Sequence, residues 1–554
     1  MTDLLARPNA MAMAAEDLAG IGSGIDHARA AAASPITGMV PPAADEISAA
    51  TTTVFNAFGA ECQAVIEQAA VFHQEFTAAL VTAGNAYVQA EFVNAKIVTD
   101  VSQVAQVSRV SGSPRTPFRF GTTPATAAQN VTLIMGGTGS PTPQPYFTTN
   151  VFDKYVAPNF HADNLGDARP LFTPEVAYPM DRSISQGLGI LNSAVLQQTS
   201  SGNNVVVVGY SQSAVISSLE MQSLAATPNP PSSNQLSFVL LGDPMNPNGG
   251  LMARFPGLTM PNLGLDFYGA TPTNTIYPTH IYTIQYDGFA DFPRYPIDVL
   301  ADLNAVAGIP WAHGQYANVS SALLATAITL PTDPAYGTAT TYSIIPTGNL
   351  PLLEPVRAIP VIGNPLADLL QPDLTYLVNW GYGNPAYGYS AGPANVPTPF
   401  GLFPPLSDTL ALGADLVTGT QQGFGAFARD VGAISLPSLS DIVDAFASAP
   451  APTWRLPTGL DLVNAVNDAT SGYASLLPAA DFANGLLEKI PAYDVALFLQ
   501  GVAQAASGDP AGLVNAIADP VTADVALAVL IGGVDGLAVL GAGPSILAGL
   551  SSLP

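Results

Sequence analysis

The sequence predicts a multidomain chain: an N-terminal α-helical hairpin, then an α/β domain on a mostly parallel sheet, then a helical, Pro/Gly-punctuated C-terminal region. Length is the first observation behind this. At 554 residues the chain exceeds what one ordinary core supports. The second is a proline-free stretch in which Phe55, Phe58, Cys62, Val65, Ala69, Phe72 and Phe76 recur in steps of three and four, the seam of a long amphipathic helix. The third is a set of short, β-branched apolar runs, VTLIMGG (131–137), NVVVVGYS (204–211), LSFVLLGD (236–243) and HIYTIQYD (280–287), with helical stretches between them. Continuous apolar strands alternating with helices imply a parallel sheet covered on both faces.

Residues 1–108 form the helical unit. An earlier helix with Leu18, Ile21 and Ile25 at helical spacing is separated from the seam helix by SPITGMVPP (34–42). Two antiparallel helices leave part of such a seam uncovered, so a partner helix pair completing a four-helix bundle is expected. Residues 109–130 are rich in Ser, Thr, Pro and Arg without a period and read as a linker. Residues 131–385 hold the α/β domain. From 386 to 554 breaks give way to helix, as in SLSDIVDAFASA (438–449), with no catalytic constellation and no assignable role.

Composition excludes several classes. Hydrophobic residues are 48% and charged residues 10% of the chain, the reverse of a disordered segment. Acidic residues outnumber basic ones 41 to 15, for a net charge of −26, so the basic footprint of nucleic-acid binding is missing. The one cysteine, Cys62, cannot form an intramolecular disulfide. Histidines stand at 27, 73, 161, 280 and 313, with no metal-binding spacing such as HExxH, so neither a metal nor another cofactor is expected. Residues 1–20 lack the pattern of an ordinary secretory signal. The apolar stretch Val525–Leu550 contains Asp535, Pro544 and several glycines, and is expected as a buried or membrane-surface hairpin rather than a spanning helix.

The chemistry is concentrated where Val205–Val208 run into Gly209-Tyr210-Ser211-Gln212-Ser213 and a helical stretch follows. A strand, a G-x-S-x-G-like turn and a helix make the nucleophile elbow of an α/β-hydrolase domain. The sharp turn needs small residues two before and two after the serine; Gly209 and Ser213 meet this, Ser213 replacing the usual glycine. An N-capping serine at a plain strand-to-helix turn would share the same letters; the strand before and the helix after favour Ser211 as nucleophile. The elbow points the Gln212 backbone N–H at a reacting carbonyl. GGTGSP (136–141) follows the first strand, and Thr138, through its N–H or its hydroxyl, is the candidate second oxyanion donor. That loop lacks the Walker lysine and does not fit GxGxxG, which excludes phosphate binding.

A serine hydroxyl needs a base, and in this architecture the partners follow in the order Ser, Asp/Glu, His. Only His280 and His313 lie beyond Ser211. His280 opens its strand, about 20 Å from the end where active groups gather. That leaves His313, in the loop-like WAHGQY (311–316). Asp243, Asp287 and Asp291 all follow strands. The turn Gly288-Phe289-Ala290-Asp291 gives Asp291 reach toward a histidine ring, so Asp291 is favoured as the acid. Asp287 is the alternative, and the unused carboxylate caps the turn.

Two resemblances emerge from these segments. Residues 1–100, through EDLAGIGSGIDHARAAAASPITGMVPPAADEIS and the long helix after it, resemble the PE domain of mycobacterial PE proteins; the Pro-Glu that names that family stands here as Pro8-Asn9. Residues 131 to about 385 resemble the PE-PPE domain, a cutinase-like serine hydrolase, through GYSQS (209–213), LLGDPMNPNGG (240–250), YDGFADFP (286–293), HGQY (313–316) and LVNWGYG (377–383). In cutinases the acid follows the strand after the Gly-Asp-Pro, which implies Asp291 or Asp287 rather than Asp243. The resemblance implies a serine ester hydrolase acting on short or medium acyl esters or envelope lipids. An acyltransferase moving acyl chains between trehalose glycolipids is the alternative, and a non-catalytic surface protein the third reading. It also implies a PPE-family partner bound by the N-terminal helices, and export by a type VII secretion system to the cell surface or outer envelope. The export signal Y-x-x-x-[DE] is met by Tyr87 and Glu91, which share one helix face at i and i+4.

Overall fold

The structure is a computed structural model that describes residues 129–160, 168–261, 263–433 and 476–551, with isolated positions before residue 64. The chain divides into two compact units, Met1–Thr122 and Thr123–Pro554. The heptad seam, Tyr87 with Glu91, linker residues 109–128 and the helix expected over 438–449 lie outside the described residues. The second unit contains every described strand.

Its strands are β1 (Asn130–Ile134), β2 (Ala168–Pro170), β3 (Asn204–Tyr210), β4 (Leu236–Leu241), β5 (Thr259–Met260), β6 (Leu265–Asp266), β7 (Thr279–Ile284), β8 (Ile328–Thr329) and β9 (Thr340–Ile345). Seven of them form one sheet in the order β2-β1-β3-β4-β7-β9-β8, while β5 and β6 make a separate two-stranded ribbon. Within the sheet every pairing is parallel except β8 with β9. The four apolar runs evident in the sequence are β1, β3, β4 and β7. The run Thr340–Ile345 forms a further interior strand absent from that expectation, although its Thr, Tyr and Ile content is that of a strand.

Residue alternation divides the core. Val205, Val207, Phe238 and Leu240 are buried on one face; Ile134, Val208, Val239, Leu241 and Ile345 are buried on the other. Each fully buried aliphatic side chain contributes about 1.5–3 kcal/mol, and a strand buried on both faces has no position left for charge.

The main helices are α1 (Pro145–Val151), α2 (Met180–Ser200), α3 (Gln212–Ala225), α4 (Val299–Trp311), α5 (Gly363–Trp380), α6 (Leu406–Ala433), α7 (Leu477–Ala506) and α8 (Ala511–Ser551). Ile184, Leu191 and Val195 of α2 and Val215, Ile216 and Met221 of α3 cover the first face. Val151 of α1, Tyr155 and the segment holding Ala312, Tyr316 and Val319 cover the second. Helix α6 lies along α5, where Thr420 Oγ1 donates to Asp373 at 2.8 Å and Trp380 Nε1 to Thr409 Oγ1 at 3.0 Å.

One expectation is corrected at the C-terminal end. Leu486, Tyr493 and Leu497 of α7 and Ala523, Ala526, Leu527 and Leu530 of α8 belong to the same buried cluster as β3 and α3. The stretch Val525–Leu550 is no hairpin, because α8 runs unbroken from Ala511 to Ser551. The reversal comes earlier, at Ser507–Pro510, where Gly508 takes φ +102° and Asp509 Oδ1 accepts the Ala511 N–H at 3.0 Å. Asp535 and the glycines do not break α8, since packing against the domain outweighs their low propensity; Gly533 rests against the Val306 side chain of α4. By length and composition Ala511–Ala542 could also cross a bilayer, yet Leu527 and Leu530 within it are buried in the domain core.

Candidate active site

Chain order reverses at β1, with β2 on one side and β3 on the other. The carboxyl ends of β1 and β3 therefore face a crevice, the ordinary ligand position of an open parallel sheet. Ser211 sits there, between β3 and α3, with φ +57° and ψ −118°. A non-glycine residue seldom adopts that backbone; here it lifts the side chain off the sheet, and the Ser211 N–H is held by Leu241 O at 3.0 Å. A Cβ at Gly209 would lie 2.5 Å from Ser213 O and 2.6 Å from Ser217 Oγ, so only glycine allows the turn to close. The unusual Ser213 serves the turn itself: its Oγ accepts the Tyr210 N–H at 2.8 Å and donates to Tyr210 O at 3.1 Å.

His313 follows α4 in a short 3-10 turn and is 7% exposed. Its Nε2 lies 2.8 Å from Ser211 Oγ, and its Nδ1 lies 2.8 and 2.9 Å from the two carboxylate oxygens of Asp287. A carboxylate can only accept, so Nδ1 carries the proton and Nε2 is free to accept from the serine hydroxyl. The ring is held by stacking on Tyr210 (centroids 5.3 Å, 26°) and by the edge contact with Phe289 (4.8 Å, 73°). Tyr210 Oη also donates to His313 O at 2.8 Å.

Asp287, rather than the favoured Asp291, meets the histidine. The two carboxylates are four residues apart on one helical turn at the end of β7, closed by Asp291 N–H to Asp287 O at 2.6 Å. Asp287 begins that turn, facing the crevice. Its Oδ1 accepts the Phe289 N–H at 3.0 Å and its Oδ2 the Tyr316 hydroxyl at 2.7 Å. Asp291 ends the turn and reaches back to its start, where its Oδ2 accepts the Tyr286 N–H at 2.9 Å. It is buried, and burial pushes its carboxyl up to about 8 against the pull of the Tyr286 N–H and Arg254. So Asp291 braces the turn and Asp287 faces His313, the reverse of the expected division. The turn and α4 touch through glycine: a Cβ at Gly308 would fall 1.7 Å from Tyr286 O. That approach sets how far His313, five residues on, stands from Asp287.

The other sequence candidates fall in distinct places. Asp243 is fully buried, with Oδ1 accepting the Met245 N–H at 2.9 Å and Oδ2 the Thr271 hydroxyl at 2.6 Å, and so stays away from His313. Burial pushes it up to about 6. His280 lies in β7 against Phe160 and Tyr282, outside the site. Gln212 opens α3, where the first N–H groups have no preceding helical carbonyl. Its side chain is buried: Nε2 donates to Val176 O at 3.0 Å and to Thr138 Oγ1 at 3.3 Å, and Oε1 accepts from Ser183 Oγ at 2.9 Å. Thr138 thus stands beside the nucleophile, with its loop tied to the start of α3.

Three supports of the site escape sequence reasoning. Tyr316, buried, bridges Asp287 and the Ile284 N–H, which its hydroxyl accepts at 2.9 Å; its only signal in the sequence is the last letter of HGQY. Tyr210 reads as a spacer in the elbow. Glu175, at φ +48°, accepts the Gly139 N–H on its backbone oxygen at 2.7 Å and the Thr173 hydroxyl on Oε1 at 2.6 Å, fixing the loop that carries Thr138. Burial pushes its carboxyl up to about 7. Nothing in the letters around Glu175 signals this.

A cavity of about 870 Å³ opens over Ser211, His313 and Thr138. Among the described residues no Asp, Glu, Lys or Arg lines it.

Comparison with known proteins decides the family. The PE family matches residues 4–94 and the PE-PPE domain residues 168–383. The chain is 46% identical over 451 residues to PPE family protein PPE28 of Mycobacterium tuberculosis, covering 77% of this chain and 68% of that protein. It is 43% identical over 423 residues to Esterase PE16 of the same organism, covering 74% of each. The chain belongs to the PE family and carries a PE-PPE domain. PE family protein PE3 of the same organism is 40% identical over 463 residues, covering 81% of this chain and 93% of that one. Among solved structures, a cutinase-like protein from Cryptococcus sp. aligns with 29% of this chain and 79% of that one at 16% identity and a TM-score of 0.22, too slight to argue from. The PE-PPE match takes in Ser211, Asp287 and His313 but neither the Thr138 loop nor α7 and α8.

Proposed function

We propose that this PE-PPE protein is a serine ester hydrolase working through an acyl-enzyme at Ser211. The unbroken relay from Ser211 Oγ through His313 to Asp287, at 2.8 Å on each side of the ring, carries the reading. The relative named Esterase PE16 supports the reaction class. Ser211 Oγ attacks the ester carbonyl carbon while His313 Nε2 takes its proton. The carbonyl oxygen, now negative, is met by the Gln212 N–H and by Thr138. Collapse breaks the bond to the alcohol oxygen, which leaves with the proton from His313. Water then repeats the sequence: His313 takes its proton, the acyl–serine bond breaks, Ser211 regains a proton and a carboxylic acid departs. Asp287 holds the Nδ1–H tautomer and stabilises the imidazolium in both halves. A fluorophosphonate probe should label the protein at Ser211, located by peptide mass spectrometry; absent label, or label at another residue, rejects the nucleophile. Products analysed with trehalose present test the acceptor, and an acylated sugar would move the reaction to acyl transfer.

We further propose that the PE segment pairs with a PPE-family protein and directs export to the cell surface or outer envelope through Tyr87 and Glu91. The match at 4–94 and the likeness to PPE family protein PPE28 support the pairing. Tyr87→Ala should leave esterase activity of purified protein unchanged and keep the protein inside the cell. Secretion of that variant at the unaltered level would remove the tyrosine from the signal.

A further inference from the structure

We propose that the α7–α8 hairpin is the acyl-binding wall of the active site, selecting esters of medium- and long-chain fatty acids; this deepens the hydrolase reading and rests on it. Among the described residues, eight of the hairpin line the cavity over Ser211, including Phe482 of α7 and Leu530, Val534, Leu537 and Ala538 of α8, and all eight are apolar. The rest of the lining divides by chemistry. Ser211, Gln212, His313 and Thr138 gather polar groups at the catalytic end, Tyr178, Tyr210 and Trp311 add aromatic rings with one polar atom each, and Leu251, Met252, Leu265 and Phe267 extend the apolar surface that the hairpin continues. A charged or strongly polar acyl group would find no partner along that surface and would lose its hydration without return. A hydrocarbon chain loses nothing and gains about fourfold in transition-state binding for each methylene fully buried.

The hairpin is held in register with the catalytic residues rather than hung from the surface. Leu486, Tyr493 and Leu497 of α7 and Leu527 and Leu530 of α8 are buried in the main core. Gly533 lies against Val306 of α4, the helix that ends in Pro310 and Trp311 just before His313. Val534, the next residue, therefore faces a cavity whose opposite side is fixed to the base. A cavity of about 870 Å³ far exceeds what an acetyl group fills, and an apolar space of that kind is the ordinary form of a site for a mostly hydrocarbon ligand.

The test holds the leaving group constant and varies the acyl chain. The unaltered full-length protein should hydrolyse p-nitrophenyl octanoate with a kcat/KM at least tenfold above p-nitrophenyl acetate. Val534→Trp, which fills the cavity, should lower the octanoate-to-acetate ratio about tenfold or more while acetate turnover stays within about threefold. Leu537→Ala, which removes wall contacts without crowding, should lower the ratio severalfold and serves where the tryptophan variant does not fold. Ratios unchanged in active Val534→Trp and Leu537→Ala proteins would overturn the acyl wall while leaving the hydrolase standing. An unaltered protein that cleaves neither ester and takes no fluorophosphonate at Ser211 would overturn the hydrolase reading itself.

Discussion

Replacement of Ser211 by Ala is expected to remove p-nitrophenyl ester turnover, lowering kcat by on the order of 10⁶, while the protein keeps its thermal midpoint within a few degrees. The chemistry leaves no substitute for the hydroxyl: Tyr210 Oη is committed to His313 O, and Ser213 Oγ to both backbone groups of Tyr210. The fold loses little, because the elbow is closed by Gly209, Ser213 and the Ser211 N–H rather than by the Ser211 side chain. What survives is the residual rate that an oxyanion hole and a binding pocket give without a nucleophile. Steady-state kinetics on acetate and octanoate esters, with circular dichroism as the control for folding, decide the matter. Turnover near the unaltered level would take the reaction away from Ser211.

The second large effect separates two carboxylates that look equivalent on paper. Asp287→Asn should lower kcat/KM by on the order of 10⁴, since an amide facing Nδ1 can donate to it and favour the tautomer with the proton on Nε2, where it blocks acceptance from the serine. Asp291→Asn should act on stability instead. An asparagine oxygen still accepts the Tyr286 N–H, but the amide nitrogen enters a buried site, at a cost of about 1–3 kcal/mol, and kcat/KM should change less than about tenfold. Kinetics and thermal unfolding of the two variants, measured side by side, should give opposite profiles. A larger activity loss in Asp291→Asn than in Asp287→Asn would return the acid to the position that reach along the turn favours.

That pair shows where sequence legibility ends. The letters YDGFAD place two carboxylates four apart, and on a single helical turn both start from nearly the same azimuth. Which of them reaches His313 depends on how the chain leaves β7 and on the contact of Gly308 with Tyr286 O, a juxtaposition across some twenty residues that no local pattern encodes. The nucleophile is legible because its geometry is local: Val205–Val208 make the strand, Gly209 permits the turn, and α3 begins at once. His313 is legible by elimination, five histidines being few enough to discard the others on position.

The sequence by itself determined the parallel sheet and its main strands, because residues buried on both faces must be apolar at every position. It also determined the elbow and its serine, because a closed strand-to-helix turn admits few side chains. Only the tertiary structure decided where α7 and α8 pack. Helix α8 is apolar on nearly every side, so its periodicity names no single buried face and no partner. Its place over Ser211 comes from long-range packing, Gly533 against Val306 and Leu486 and Leu530 within the core of β3 and α3. Apolar burial is non-directional and needs only a surface of matching shape, and that surface exists only once the sheet and α4 have come together.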